Sequence, residues 1–149
     1  MIATLAAALI LQTSPEADIA AVLDQLNAAS SAADAAAYFA LYTPDARFVG
    51  TDASEHWTID ELRQYAAAAF ASGRGWSYPA TARTITLAPI ACRCIAWFEE
   101  QLVNQTYGVT RGSGVLRLTD DGWKIEQYVL SFAVPNDRAD AVVDIIQGD

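Results

Sequence analysis

Apolar positions along this chain change period once, near Trp76. Before it they recur at helical spacing, and after it they alternate. From Pro15 to Ala29, Ile19, Val22, Leu23 and Leu26 form one stripe behind Glu16 and Asp18, which suit the start of a helix. After Ser30-Ser31, Asp34 is a good N-cap for a short helix bearing Ala37, Tyr38 and Leu41. Thr43-Pro44-Asp45 ends it, because a residue before proline leaves the helical region. A short strand over Ala46–Gly50 follows. Thr58-x-x-Glu61 then reads as a capping box, opening a helix that buries Ile59, Leu62, Tyr65, Ala69 and Phe70 and stops at Gly73 and Gly75. Beyond Trp76 the pattern predicts strands near 82–88, 93–104, 108–119 and 123–132. A last helix capped by Asn136 carries Val142, Val143, Ile145 and Ile146. Helices followed by a run of antiparallel strands give an α+β plan with the helices on one face of the sheet.

Residues 107–132, YGVTRGSGVLRLTDDGWKIEQYVLSF, specify a hairpin. With Asp121-Gly122 as a two-residue turn, Leu118 would face Ile125, Leu116 would face Gln127, and Arg117 would face Glu126. A three-residue loop would instead oppose Arg117 with Ile125, which is poorer pairing chemistry. The chosen register places Leu116, Leu118, Trp123, Ile125 and Gln127 on one face, polar or small away from the turn. It leaves Val115, Tyr128, Leu130 and Phe132 as an apolar patch on the other. Such a patch needs a cover, and a second copy of the same sheet is the expected one.

The chain of 149 residues is one domain in size, with a 53% hydrophobic fraction and net charge −9. With one Lys and eight Arg and no basic cluster, nucleic-acid binding and docking onto anionic lipid are disfavoured. Residues 1–14 form an apolar segment too short to span a bilayer, so stable membrane insertion is not expected. The segment reads as a candidate signal peptide, although it lacks a basic start and a clean cleavage site. The expected location is therefore periplasmic or secreted, with cytoplasmic as the alternative, and residues 15–149 make the single domain. Cys92 and Cys94 fall in an expected strand, where same-face neighbours bridge only with strain, so they read as small buried side chains. One His and one Cys pair make no metal site, and no nucleotide or other cofactor motif is present.

The order helix–helix–YTPDARFVGTDASEHW–helix–GW–strands, with AWFEE, YGVTRGSGVL and GWKIEQYVLSFAVPND after it, resembles the SnoaL-like branch of the nuclear transport factor 2-like superfamily. The resemblance covers about residues 16–147. It implies a cone-shaped α+β barrel: a curved antiparallel sheet wrapped around N-terminal helices, with an internal cavity. It also implies frequent dimerisation through the outer face of the sheet. It does not imply one activity, since the superfamily holds isomerases, cyclases, dehydratases and binding modules. A dehydratase of the scytalone type would use a pair of histidines, and here His56 stands alone.

The candidate chemistry gathers in two places. Asp52, Glu55, His56 and Trp57 form a polar-aromatic cluster in which a carboxylate could set the imidazole for proton transfer. On the strand after Arg93, Glu99 and Glu100 point to opposite faces, and periodicity alone does not decide which is inward. Placing Glu99 inward beside Trp97, with Arg111 as its partner, gives a pocket formed by Trp57, Trp97, Glu99, Arg111 and Gln127. Asp52 and His56 then stand near its mouth. Catalytic candidates are Glu99, His56 and Asp52. The leading expectation is a dimeric small-molecule-binding domain. Its alternatives are a cofactor-independent proton-transfer enzyme and a protein-interaction module whose cavity is filled by side chains.

Overall fold

A computed structural model describes residues 14–148. The expectation for the N-terminal apolar segment lies outside the described residues. Helix α1 (Pro15–Ser31) starts on the Ser14 side chain, and α2 (Ala35–Phe39) starts on Asp34. Strands β1 (Tyr42–Val49) and β2 (His56–Thr58) lead into α3 (Ile59–Ala71), whose Thr58–Glu61 capping box is formed in both directions. Four longer strands follow: β3 (Ala80–Leu87), β4 (Ile95–Asn104), β5 (Gly108–Thr119) and β6 (Gly122–Phe132). They join the first two in one six-stranded sheet of order β2-β1-β6-β5-β4-β3, in which only β1 and β6 pair in parallel. The three N-terminal helices cover its concave face, the α+β cone that the resemblance implied.

Inward rows run across the sheet from strand to strand. One links Leu87, Ala96, Leu116, Ile125 and Tyr42, and the next links Ile85, Phe98, Gly114, Tyr128 and Phe48. Ile19, Leu23 and Leu26 of α1 and Ile59, Leu62 and Phe70 of α3 pack onto these rows. Burial of these side chains contributes on the order of 1.5–3 kcal/mol each.

The hairpin departs from the expected register. Thr119 pairs with Gly122, Leu118 with Trp123 and Arg117 with Lys124, so Asp120-Asp121 is the turn. Gly122 takes the left-handed φ of +92° that follows such a turn, and Thr119 Oγ1 accepts from Asp121 N–H while donating to the Gly122 carbonyl. A bulge follows: Leu116 pairs with Ile125 but Val115 pairs with Gln127, leaving Glu126 as the extra residue. Arg117 still ion-pairs with Glu126, diagonally rather than face to face.

The bulge reverses every side chain beyond it. Tyr128 and Leu130, expected in an outer apolar patch with Val115 and Phe132, are instead buried in the core, and Gln127 faces outward. Phe132 stays on the inner parity at the rim, edge-on to Tyr107. Only Val115 of that patch lies on the outer face, between Trp97 and Gln127.

Two further expectations are corrected. Cys92 and Cys94 lie in the β3–β4 turn, before β4 begins, and they form a disulfide rather than buried thiols. A left-handed Arg93 (φ 48°) folds the chain back between them, which a strand could not do. Asn136 opens a short 3₁₀ turn (Asn136–Arg138) rather than capping a helix, and α4 (Ala139–Gln147) buries none of its residues. Its Ile145 and Ile146 are 79% and 78% exposed, so the apolar stripe has no cover within the described chain.

Candidate functional site

Polar side chains enter the interior along one row. Arg83, Glu100 and Gly112 are aligned across β3, β4 and β5, so it is Glu100, not Glu99, that faces the core. Its carboxylate accepts from Arg83 Nε at 2.8 Å and from the Tyr128 hydroxyl at 3.0 Å, and Arg83 Nη1 reaches Asp24 on α1 at 2.9 Å. Glycine at 112 is required by this arrangement: a Cβ there would sit 2.5 Å from the Tyr128 hydroxyl and 2.9 Å from Glu100. Arg83 Nε and Nη1 and both Glu100 oxygens are matched by neighbours while Arg83 Nη2 is buried without a partner, and these bonds make the row a structural clamp between α1 and the sheet.

A second buried pair, Tyr38 and Tyr42, shares a hydrogen bond of 3.0 Å beneath the helices. Burial pushes the Tyr38 phenol up to about 12, with Tyr42 and Tyr128 also raised well above the usual range, in each case chiefly by loss of water. A raised phenol favours the folded state while neutral. The contribution of Tyr38 is therefore complete below its unfolded pKa near 10 and is lost as pH rises towards about 12. Denaturant titrations should show level stability up to about pH 9.5, then a fall between about pH 10 and 12. Tyr38 alone accounts for about 2 kcal/mol of it, and Tyr38→Phe should shrink the drop.

The candidate site lies at the open end of the cone. A cavity of about 670 Å³ is enclosed by the inner sheet face, α3, the segment 75–79 and the β4–β5 turn. Phe48, Trp57, Tyr65, Trp76, Tyr78 and Tyr107 supply its aromatic walls, and Leu62 and Leu130 its floor. Local chemistry sets each wall. Asn104 Oδ1 accepts from the Thr106 and Tyr107 amides at 2.8 and 2.9 Å and closes the β4–β5 turn. Its Nδ2 donates to the Ser77 carbonyl at 3.1 Å, tying that turn to the segment after α3. Ser30 at the end of α1 donates to the Trp76 carbonyl at 3.0 Å, and Gly75 lies so close that a Cβ would sit 1.9 Å from the Ser30 carbonyl. That approach seats the Trp76 ring 4.6 Å from Phe70 and 5.9 Å from Tyr38. Trp57 is held between Phe48, at 6.1 Å, and Tyr65, at 4.5 Å.

Charge in the cavity is one-sided. Among the described residues Glu55 is the carboxylate on its wall, and no Lys, Arg or His lines it. The Glu55 carboxylate accepts from the Asp52 amide at 3.2 Å and folds over Gly50, where a Cβ would meet it at 2.1 Å. The Tyr78 phenol is pushed up to about 12, first by desolvation and then by Tyr107, Tyr65 and Glu55 around it. Negative charge is thus disfavoured inside.

Of the residues the sequence offered as a pocket, Trp57 alone lines this cavity. Trp97, Glu99, Arg111 and Gln127 do share one face, but it is the outer one. There Glu99 lies opposite Ser113 and Thr84, and Arg111 opposite Gln101. His56 is exposed on β2. Asp52 is exposed in the β1–β2 loop, where the Ser54 hydroxyl and amide lower its pKa. The sequence reading missed Phe48, Tyr65, Trp76, Tyr78, Asn104 and Tyr107. The Gly-Trp-x-Tyr-Pro run after α3 was the available signal, since aromatics beside turn residues pack across a cavity more readily than along a strand. Among the described residues, no cluster of three or more His, Cys, Asp or Glu could hold a metal ion, and no helix is long and apolar enough to cross a membrane.

The sequence profile of the SnoaL-like domain matches residues 19–135. No curated protein matches the chain. Among solved structures, a cystatin-like domain of unknown function from Nostoc punctiforme superposes with a TM-score of 0.70 at 16% identity, covering 91% of this chain and 88% of that one. An NTF2-like protein of unknown function from Pseudomonas putida gives 0.65 at 12% identity, over 78% and 84% of the two chains. A candidate dehydratase of the NTF2-like family from Streptomyces avermitilis gives 0.65 at 16%, over 82% and 100%. These likenesses concern the fold.

Proposed function

This chain belongs to the SnoaL-like domain family, and from that premise we propose that it is a small-molecule-binding domain whose cavity takes a flat, apolar ligand, neutral or cationic. The carrying observation is the open cavity of about 670 Å³ walled by aromatic rings, within the range of ordinary ligand sites. Its fixed amide, Asn104, is already satisfied by backbone partners, as suits a rigid binding wall. An interaction module with its cavity filled by side chains fits this geometry less well.

The enzyme reading rests on Glu55, a member of the sequence's polar-aromatic cluster, rather than on the catalytic candidates Glu99, His56 and Asp52. Glu55 is the carboxylate beside Tyr78 in the cavity, and a proton transfer of the isomerase, cyclase or dehydratase kind would have to pass through it. Native mass spectrometry of the purified protein, followed by identification of the bound molecule, tests both readings. If the molecule is returned unchanged after incubation, the protein binds. If it is converted, and Glu55→Gln stops the conversion without loosening binding, the protein is an enzyme.

The dimer is part of the same proposal, with a corrected contact. On the outer face Trp97, 45% exposed, lies beside Val115 in one row, with Val129 in the next. A contact of ordinary size buries about 1,600 Å² in total. Trp97→Glu should raise the dimer dissociation constant at least about tenfold in sedimentation, since a buried unpaired charge costs several kcal/mol. Tyr128→Glu should instead unfold the protein, because Tyr128 is in the core. The Cys92–Cys94 bond supports a periplasmic or secreted location, where disulfides persist.

A further inference from the structure

Away from the aromatic cavity, the β3–β4 turn carries the disulfide between Cys92 and Cys94, with Arg93 alone between them. Its surroundings are not those of a bond that holds the fold. The turn is already closed by backbone hydrogen bonds, from Ala88 N–H to the Ile95 carbonyl at 2.8 Å and from Leu118 N–H to the Cys94 carbonyl at 2.8 Å. A bridge across three residues removes little freedom from the unfolded chain. Arg93, a non-glycine residue, is held at φ 48°, a left-handed conformation that opening the ring would release. Cys92 is exposed and Cys94 half-buried, so an incoming sulfur reaches one end of the bond more easily than the other.

Cys92 also opens onto a cleft. About 500 Å³ lies between the turn, α1 and the β5–β6 hairpin, with Val22, Leu118 and Trp123 as apolar walls, Arg93 and Lys124 as cations and Asp18 and Asp121 as acids, Arg93 being the charge next to both sulfurs in sequence. Arg93 holds no ion pair among the described residues, leaving its guanidinium free to stabilise a thiolate at its neighbours. An accessible disulfide with a cationic flank and a substrate-sized cleft is a reactive one.

We propose that Cys92–Cys94 is a thiol–disulfide exchange centre that oxidises dithiols, an activity separate from the cavity. A substrate thiolate attacks Cys92 Sγ, the Cys92–Cys94 bond breaks, and its electron pair leaves on Cys94 Sγ. The second substrate thiolate then attacks the substrate sulfur of the mixed disulfide and releases Cys92. The dithiol loses two electrons and two protons and becomes a disulfide, and the cysteine pair gains them. A small-molecule disulfide regenerates the oxidised pair by the reverse exchange.

The test uses the full chain in glutathione buffers, with alkylation and mass spectrometry to count thiols. The pair should be partly reduced at millimolar reduced glutathione, with circular dichroism unchanged. Cys94→Ser should capture glutathione at Cys92 at least tenfold faster than Cys92→Ser captures it at Cys94. With oxidised glutathione as the regenerating disulfide, the native chain should oxidise a dithiol at least tenfold faster than the Cys92→Ser/Cys94→Ser variant. Running a small dithiol beside a two-cysteine peptide decides which source of dithiol the cleft prefers. A pair that resists millimolar glutathione, single variants that react equally, or oxidation no faster than the double variant would each overturn the proposal.

Discussion

Replacing Glu100 by Ala should lower the stability of the fold by about 3–5 kcal/mol, because it leaves the Arg83 guanidinium buried without its counter-charge. The Glu100 side chain is fully inaccessible and the Arg83 side chain is 14% exposed, so water cannot replace the lost partner. The Tyr128 hydroxyl loses its acceptor in the same stroke. For a domain of this size the melting temperature should fall by roughly 10–20 °C. The double variant Arg83→Met/Glu100→Leu separates the value of the pair from the cost of breaking it. Removing both charges should recover most of the loss, to within about 2 kcal/mol of the native chain. Asp24, 71% exposed, would then lose only a surface partner. A double variant as unstable as Glu100→Ala would mean that shape at this row, not charge pairing, sets the cost. Glu99→Ala, exposed on the outer face, should change stability by less than about 0.5 kcal/mol.

The contrast between Glu99 and Glu100 shows where the sequence stops being informative. Alternation establishes that adjacent glutamates face opposite ways, yet the choice of side needs a partner from elsewhere. That partner, Arg83, sits on β3 and becomes a neighbour only when the sheet is assembled. The elements themselves were legible, since helical spacing in α1, the Thr58–Glu61 box and the alternation of β3 to β6 are local signals. The register of β5 and β6 was not. Asp120-Asp121-Gly122 can be read as two different turns, and although the glycines at 112 and 114 suggest a bulge, nothing local places it at Glu126. Its cause is spatial: Gly114 packs onto the strand beside it, where a Cβ would lie 1.9 Å from the Gln127 carbonyl. One extra residue there moved Tyr128 and Leu130 inward and Gln127 outward, and with them the expected pocket and dimer faces. The grouping of Trp97, Glu99, Arg111 and Gln127 survived as a shared face on the opposite side. The cavity's own residues come largely from turns and loop segments, where no periodicity tells one side from the other.

Trp57→Ala should weaken binding of the cavity ligand by about 30- to 100-fold, the loss expected when a buried aromatic anchor is removed from a binding site. Trp57 sits between Phe48 and Tyr65, so truncation removes one wall and loosens two others. A neutral planar fluorophore serves as probe until the natural ligand is identified, with affinity read by fluorescence titration. Charge should matter as much as shape. An anionic analogue of the same size should bind at least tenfold more weakly, because Glu55 and the desolvation that raises Tyr78 both disfavour negative charge there. Glu55→Gln should narrow that gap by removing the wall's formal charge. Glu99→Gln and Gln127→Ala, both on the outer face, should leave affinity within about twofold of the native value. If Glu99→Gln loosened the probe while Trp57→Ala did not, the binding site would lie on the outer face and the cavity assignment would fail. If both left it unchanged, the probe would be reporting a surface other than either, and the cleft beside Cys92 would be the next place to look, with Trp123→Ala as the deciding variant.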